Sequence, residues 1–532
     1  MRTKRITLMV GVVLAIVMSV GWAGGSKEAG SGAAAAQGTA PVKYKDELHI
    51  AVAQEAPSLD LHKNSSLIAR QMTSGSVWEK LVTLNSKSEV VPELAERYET
   101  NADSSEYTFY LRKGVKFHDG TIMTADDVVA SMNRWINGFS VAKQLAGKAR
   151  FVKVDDYTVR ITFDHPAVTF LDVMAGAAQP AAITTATAAA KEDTKGFMTD
   201  YIGTGPYKFV EWKLNQYTLL EKFDDYVPYG DPSKPVDGWA GYKDPKIKKL
   251  YFHYVSEPTT RTAGLETGQY DMDYNVTGDS YDRVVSMDGV KVIRYQAGTV
   301  AYVFNKKEGV ASNIYFRQAV NAALNFDDVM RAAYGSLYEL NSSYMDSSEP
   351  FWVSEAGSEY YNQHDAAKAK ELLKKAGYNG QPFRILVSTL NGMDRTALVV
   401  QQELEAVGIK VELIVVDWAT LTQFRTDSSK YDVYVTSFAS VPVPSLKLYF
   451  GPTYPGWTGT DDPHILSLVD AFNASKTREE AKHNWDVLQG YSWEYLPLMN
   501  LGHYNAAMAW SDKVENLNIY SGVYFWNVQV RE

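Results

Sequence analysis

The hydrophobic rhythm of this chain changes twice, and that double change constrains its fold more than any single motif does. Up to about Tyr295, apolar and polar residues alternate in short runs such as "ELHIAVAQ", "YTFYLRKGVKF", "YTVRITF", "PYKFVEW", "YTLLEKF" and "IKKLYFHYV". A period of two is the signature of strands with one buried face, so the first half is expected to be rich in β-structure. Beyond Tyr295 helices and strands take turns. "NIYFRQAVNAALNFDDVMRAAYG" reads as two helical pieces ending at Gly335, and "DAAKAKELLKKAGY" as a Lys-rich amphipathic helix stopped by Gly377, a residue type suited to the end of a helix. "FRILVST", "KVELIVVD" and "YDVYVTSF" read as strands around and beyond the helix "RTALVVQQELEAVG". This β-α-β-α-β order implies a parallel sheet with helices on its faces. Near the end, "TREEAKHNWDVLQGYSWEY" opens with a capping box, Thr477 with Glu480, and "LPLMNLGHYNAAMAW" returns to strand.

A chain whose end resumes the character of its first half is expected to pass between two lobes twice, here near Tyr295 and near Pro497. Two passages make a hinge and a cleft. The length agrees, since 532 residues exceed what one ordinary core organises. No short internal repeat suggests a solenoid.

The first residues read as an export signal. "MRTKR" is basic, "ITLMVGVVLAIVMSV" is apolar but somewhat short for a membrane span, and Gly21 and Ala23 are small residues where a signal peptidase cuts. Cleavage near Ala23 removes Arg2, Lys4 and Arg5 and takes the formal charge from −10 to −13. The following Gly/Ala/Ser-rich stretch to residue 46 reads as a flexible spacer. There is no cysteine, hence no disulfide, no thiolate metal site and no acylated cysteine to tether an exported protein. An acidic chain without a basic stripe is not built for nucleic acid.

Catalytic signatures are absent from the sequence. There is no G-x-S-x-G, H-E-x-x-H or Walker A motif, "GTGPYK" at Gly203 lacks the third glycine of a dinucleotide site, and the nine histidines form no i, i+3 or i, i+4 pair. The densest cluster of chemical groups is "FHDGTIMTADDVVAS", Phe117–Ser131. His118, Asp119, Asp126 and Asp127 have donor atoms suited to a divalent cation. The same residues also fit a turn at Asp119–Gly120 and a helix capping box from Thr124 to Asp127, and that structural reading has the more specific spacing.

Pro92–Trp135, which contains this stretch, resembles the signature region of the peptide/nickel family of ABC-transporter solute-binding proteins. "GTGPYKFVEW", "VFNKKEGVASNIYFRQAVNAAL", "AAKAKELLKKAGY" and "LEAVGIKVELIVVDWATL" resemble further landmarks of that family in the same order. The resemblance implies an α/β protein with the two-lobed periplasmic-binding-protein fold (type II). Lobe I would span 47–295 with an extra subdomain at roughly 82–200, lobe II 296–496, and 497–532 would return to lobe I. It implies a monomer without enzymatic activity, metal or cofactor, which closes over a small peptide or similar solute outside the cytoplasm and delivers it to a membrane permease.

Ligands of parallel α/β sheets gather at the carboxyl ends of strands. This points to Ser388–Arg395, Asp417–Trp418 and Phe438–Ser440 in the second lobe. Arg395 suits a bidentate bond to a carboxylate. Among 12 Trp and 34 Tyr, Trp418, Tyr454 and Trp457 lie in or beside expected loops and suit a flat ligand wall. In the first lobe, Asn64, Ser65 and Ser66 follow the first strand, and Thr204 lies in the "GTGPY" turn. Many peptide-binding relatives carry an Asp soon after the strand matching "YDVYVTSF" to receive the ligand's amino group. Here "TSFASVPVPSLKLYF" has no acid. Either another acid such as Asp417 replaces it, or the solute lacks a free amino terminus, which leaves oligosaccharide-, opine-like or modified-peptide ligands open. No histidine in that region precedes His464, which argues against nickel. An exported hydrolase with a dispersed triad is the reading from another class.

Overall fold

Alternation in "ELHIAV" produces strand β1 (Glu47–Val52), with Leu48 and Ile50 fully buried. The computed structural model describes residues 42–64, 66–177, 179–441, 443–444, 462–520 and 522–532. The expected signal and most of the spacer lie outside the described residues, as do Ser65, Tyr454 and Trp457. Among the described residues, no helix is long and apolar enough to cross a membrane.

A short helix, α1 (Leu67–Thr73), follows β1 and buries Ile68, Ala69 and Met72. The chain then builds an antiparallel sheet of β2 (Ala95–Thr100), β3 (Glu106–Leu111), β4 (Val152–Asp155) and β5 (Thr158–Thr162), in the order β2-β3-β5-β4. Helix α2 (Ala125–Gly138) lies between β3 and β4 in sequence and buries Val128, Met132, Trp135 and Ile136. Helix α3 (Phe170–Ala175) closes this subdomain. Strands β6 (Tyr207–Lys213), β7 (Tyr217–Lys222), β8 (Lys249–Tyr254) and β9 (Met272–Val276) then join β1, which runs parallel to both β8 and β9.

Next comes β10 (Val290–Phe304), a strand of 15 residues. After it follow α4 (Ile314–Ala323), α5 (Phe326–Tyr334), the short β11 (Tyr338–Glu339) and α6 (Ala366–Lys375). Strands β12 (Phe383–Ser388), β13 (Val411–Val416) and β14 (Val433–Ala439) alternate with α7 (Met393–Ala406) and α8 (Trp418–Phe424). β12 pairs in parallel with both β13 and β14, as the β-α-β-α-β reading requires. Helix α9 (Arg478–Tyr495) is opened by Thr477, whose hydroxyl accepts from the Glu480 amide at 3.1 Å. β15 (Leu498–Ser511) follows.

All these lobe strands form one sheet, in the order β13-β12-β14-β10-β15-β9-β1-β8-β7-β6, with β11 on β15. Strands β10 and β15 pair antiparallel from Val290↔Ser511 to Val303↔Leu498. One half of the pair borders β9 and the other half borders β14. The protein is therefore two-lobed, and both lobes hang on the same two strands. The register slips between Gln296 and Gly298, opposite Tyr504–Asn505, where the pair leaves one lobe for the other. A Cβ on Gly298 would sit 2.3 Å from the Phe438 carbonyl oxygen, so only glycine fits there.

A side-chain bridge also joins α9 to the segment before β2 and to α3. Arg478 at the start of α9 donates to the Asp172 carboxylate of α3 at 2.9 Å and to the Ser88 carbonyl at 2.8 Å, with its guanidinium 3.9 Å from the Phe351 ring centre.

The acids of "FHDGTIMTADDVVAS" all have protein partners. Asp119 accepts from the Thr121 amide at 3.0 Å across a turn in which Gly120 has φ +86. Asp126 pairs with Lys153 at 2.9 Å. Asp127 and Thr124 form the capping box of α2, and the second Asp127 oxygen accepts from the Ala186 amide at 2.9 Å. His118 accepts from the Gly203 amide through Nδ1 at 3.1 Å and donates from Nε2 to the Gly205 carbonyl at 3.0 Å. Burial lowers its pKa to about 4, so this ring is a neutral strut between two loops. Replacing Asp127 with Ala is expected to destabilise the fold by about 1–2 kcal/mol through loss of the cap and of the Ala186 bond. Denaturant unfolding reads this loss, and solute affinity in the folded variant should not change.

Candidate functional site

Where β10 and β15 pass between the lobes, the structure holds a cavity of about 850 Å³, within the range of small-molecule sites. One wall is α1. Leu67, Arg70, Gln71 and Ser74 line the cavity, and their i, i+3, i+4, i+7 spacing places them on the helix face opposite Ile68, Ala69 and Met72. The floor comes from the crossing strands, Ile293–Ala297 of β10 with Tyr504 and Asn505 of β15. The chain after β10 adds Tyr338, Glu339 and the carboxyl end of β14 with the two residues after it, Ala439, Ser440 and Val441. Ser347–Glu349 and the segment around Tyr520 and Tyr524 complete the lining.

Six tyrosines line this space: Tyr274, Tyr295, Tyr338, Tyr504, Tyr520 and Tyr524. They give flat apolar area with a polar edge. Tyr504 is stacked on Tyr334 at 5.5 Å, and Tyr524 packs on Trp526 at 4.4 Å, so both are held from behind. Four charged residues share the lining: Arg70, Arg294, Glu339 and Glu349. Arg294 donates to the Ser336 carbonyl at 3.0 Å, and Glu339 accepts from Gln296 at 3.0 Å. Three buried polar atoms of lining residues have no protein partner among the described residues: Arg70 Nε, Gln296 Oε1 and Ser440 Oγ.

Glu349 is only 6% exposed. Burial pushes its pKa up to about 8; the neighbouring carboxylates Asp172 and Asp346 act in the same direction, while Ser88 and Arg478 oppose them. Burial likewise raises Asp172 to about 6 against the pull of Arg478. The cavity wall and the Arg478 bridge thus share one electrostatic neighbourhood.

Of the site residues expected from sequence, Ser440 lies on the cavity wall. Asn64 is buried before α1, where its Oδ1 accepts from the Ser66 amide at 2.9 Å and its Nδ2 donates to the Ser58 carbonyl. Ser66 is the N-cap residue of α1, immediately before cavity-lining Leu67. Thr204 is buried, with its hydroxyl donating to Glu79 at 3.0 Å. Its flanking glycines serve a close backbone approach, since a Cβ on Gly203 would sit 1.9 Å from the Val77 carbonyl oxygen. Arg395 donates to the Ala333 carbonyl at 2.9 Å and so ties down the end of α5. Asp417 is the exposed N-cap of α8, accepting from the Thr420 amide at 3.0 Å, and hydrogen bonds from Thr420 hold its pKa down. Trp418 and Phe438 are half-buried against the lobe II core. Asn64, Ser66, Thr204, Arg395, Asp417, Trp418 and Phe438 are not among the residues lining the cavity. The polar stripe of α1 was readable at helical spacing in "LIARQMTS". The tyrosines carried no local signal, because strand pairing alone gathers them.

Residues 89–457 match the model of the bacterial extracellular solute-binding proteins, family 5 Middle. The chain is 26% identical, over 85% of its length and 88% of the relative's, to a probable peptide ABC transporter periplasmic-binding protein of Sinorhizobium fredii. It is 28% identical to a glutathione-binding protein of Pectobacterium atrosepticum, over 73% of this chain and 72% of that one. A periplasmic binding protein of A. tumefaciens R10, solved in complex with agropinic acid, superposes with a TM-score of 0.72 at 25% identity, over 91% of this chain and 99% of that one.

The raised pKa of Glu349 carries a stability signature. With 4.5 as its ordinary value and about 8 in the fold, the contribution is complete below pH 4.5 and is lost as pH rises towards 8, at up to about 1.4 kcal/mol per unit. Asp172 acts in the same direction over a narrower window. Glu349→Gln has no proton to lose, so its stability relative to the unsubstituted protein should increase between pH 5 and pH 8 in solute-free denaturant unfolding. A difference that stays constant with pH contradicts this account.

Proposed function

Since the chain belongs to the bacterial extracellular solute-binding proteins, family 5, and is a binding protein rather than an enzyme, we propose that it captures a small peptide or peptide-like solute in the interlobe cavity and hands it to the permease of an ABC importer. The observation that carries this reading is the composition of the cavity. Tyrosine faces supply sequence-tolerant apolar contact, and Arg70, Gln296 and Ser440 hold donor and acceptor capacity that no described protein group uses. A backbone amide chain, with its alternating donors and acceptors, matches such a mixture. The peptide-transporter and glutathione-binding relatives support it.

On this reading the lobes are 47–295 with the return at 497–532, and 296–496, with the subdomain at roughly 82–200 docking on lobe II through Asp172 and Arg478. The protein works outside the cytoplasm as a monomer after cleavage near Ala23. A second reading, an opine-like conjugate, is favoured by one feature. The segment after β14 offers no acid for a free amino terminus, and the relative from A. tumefaciens R10 was solved with agropinic acid.

Native mass spectrometry of gently purified protein identifies the solute class. A bound peptide or amino-acid conjugate is expected, and a sugar as the sole bound mass would refute the proposal. Binding should also tighten the lobes about the shared strands. Arg478→Met removes the bridge to Asp172 and Ser88, and is expected to lower solute affinity several-fold while broadening the scattering profile of the solute-free protein. Unchanged affinity together with an unchanged profile would show that the bridge has no part in closure.

A further inference from the structure

Arginines inside this protein are satisfied in one of two ways. Arg134, Arg261 and Arg384 each meet a carboxylate, Asp60 at 2.7 Å, Asp273 at 3.1 Å and Asp432 at 2.9 Å. Arg317 has no such partner, but its guanidinium donates to the carbonyls of Ala311, Ser312, Tyr495 and Leu496 and lies 4.8 Å from the Tyr495 ring centre. Arg70 fits neither pattern. It donates from Nη1 to the Ala177 carbonyl at 2.7 Å. Its Nε is buried without a partner, as is that of Arg134, but Arg70 differs in that no carboxylate and no second described acceptor bonds its guanidinium. Burial pulls the guanidinium's pKa down.

Arg70 is half-buried with its Nε shut away from solvent, and such a cation without a counter-ion is costly to keep unless something absent from the apoprotein completes it. The bond to Ala177 leaves the Nε–Nη2 edge unused. That edge presents two parallel N–H groups, the geometry that matches a carboxylate. Arg70 faces the cavity beside Gln71 and Ser74 on the same side of α1, and the acids of the cavity, Glu339 and Glu349, belong to segments of the second lobe's chain.

We propose that Arg70 is the anion anchor of the cavity, so that the solute it takes carries a carboxylate group. The proposal rests on the cavity being the solute site, but not on the solute being a peptide. A carboxylate held on α1 of lobe I also orients the rest of the solute towards Ser440 and the acids contributed by lobe II.

The test compares matched probes: trialanine, glutathione and an N-carboxyalkyl amino acid, each with its primary amide, plus maltotriose as a neutral control. Titration calorimetry with the unsubstituted protein and with Arg70→Gln gives the acid-to-amide affinity ratio. At least one acid should bind the unsubstituted protein about tenfold or more tightly than its amide, the size of one charge-assisted pair. In Arg70→Gln that ratio should fall towards one, with a solute-free melting temperature at or above the original. Arg70→Lys keeps the charge without the fork and should retain part of the preference; if Arg70→Gln does not fold, this variant carries the comparison. An amide that binds as well as its acid, a preference that survives intact in the variants, or a panel in which no acid distinguishes the unsubstituted protein from Arg70→Gln would each overturn the assignment. If only the non-peptide acid binds, and does so through Arg70, the peptide reading falls while the anchor stands.

Discussion

Everything in this molecule depends on the antiparallel pairing of β10 with β15. These two strands exchange backbone hydrogen bonds with each other over their whole length, and they border β9 at one end and β14 at the other. The main sheet therefore never breaks, and the lobes are halves of one hydrogen-bonded structure rather than domains on a loose linker. The register of the pair slips around Gln296–Gly298 and again between Val300 and Ala301, and at the first slip the backbones of β10 and β14 approach too closely for any side chain at position 298. The cavity opens at the same place. A solute bound there touches both lobes and the strands between them, so its binding energy acts directly on their relative position.

The treatment of buried charge separates scaffold from site. Lys243 lies 3.0 Å from Glu79 and bonds Glu93 as well, while Tyr226 and Thr204 also donate to Glu79. Both carboxylates of that cluster share the Lys243 ammonium, and neutral donors complete them. At the cavity the complements are missing. Glu349 favours its neutral form in the absence of a cation, and Arg70 has a single carbonyl as its partner, where Arg134, Arg261 and Arg384 have carboxylates. The cavity thus keeps charged and polar groups whose hydrogen-bonding capacity the described protein groups do not fill.

Capping and turn chemistry were legible in the sequence because their partners lie within a few residues. Thr124 with Asp127 forms the full capping box and Asp119 with Gly120 the turn, while at Thr477 the hydroxyl caps the Glu480 amide and the Glu480 carboxylate takes the Lys476 amide instead. The same local logic explains why the expected site residues lie elsewhere than on the cavity. Asp417 and Asn64 look like free ligand groups at strand ends, yet an Asp or Asn just before a helix is most stable bonded to the helix's own amides or to its loop. Arg395, one turn into α7, finds the open carbonyl of α5. Ser440 lies on the cavity wall because β14 extends further than its parallel neighbours and ends where the lobes meet.

The sequence by itself determined the elements and their order, since hydrophobic period, caps and glycine stops are properties of neighbouring residues. The change of rhythm at Tyr295 and its return near the end fall at the two long strands, β10 and β15, that pair with each other. Only the tertiary structure decided which side chains meet in the cavity. Tyr274, Tyr295, Tyr338, Tyr504 and Tyr524 come from five separate segments, and what brings them together is the pairing of strands far apart in the chain. The same is true of Arg70. It has one carbonyl partner and an unpartnered Nε, and a missing partner becomes visible only when every neighbour is in place.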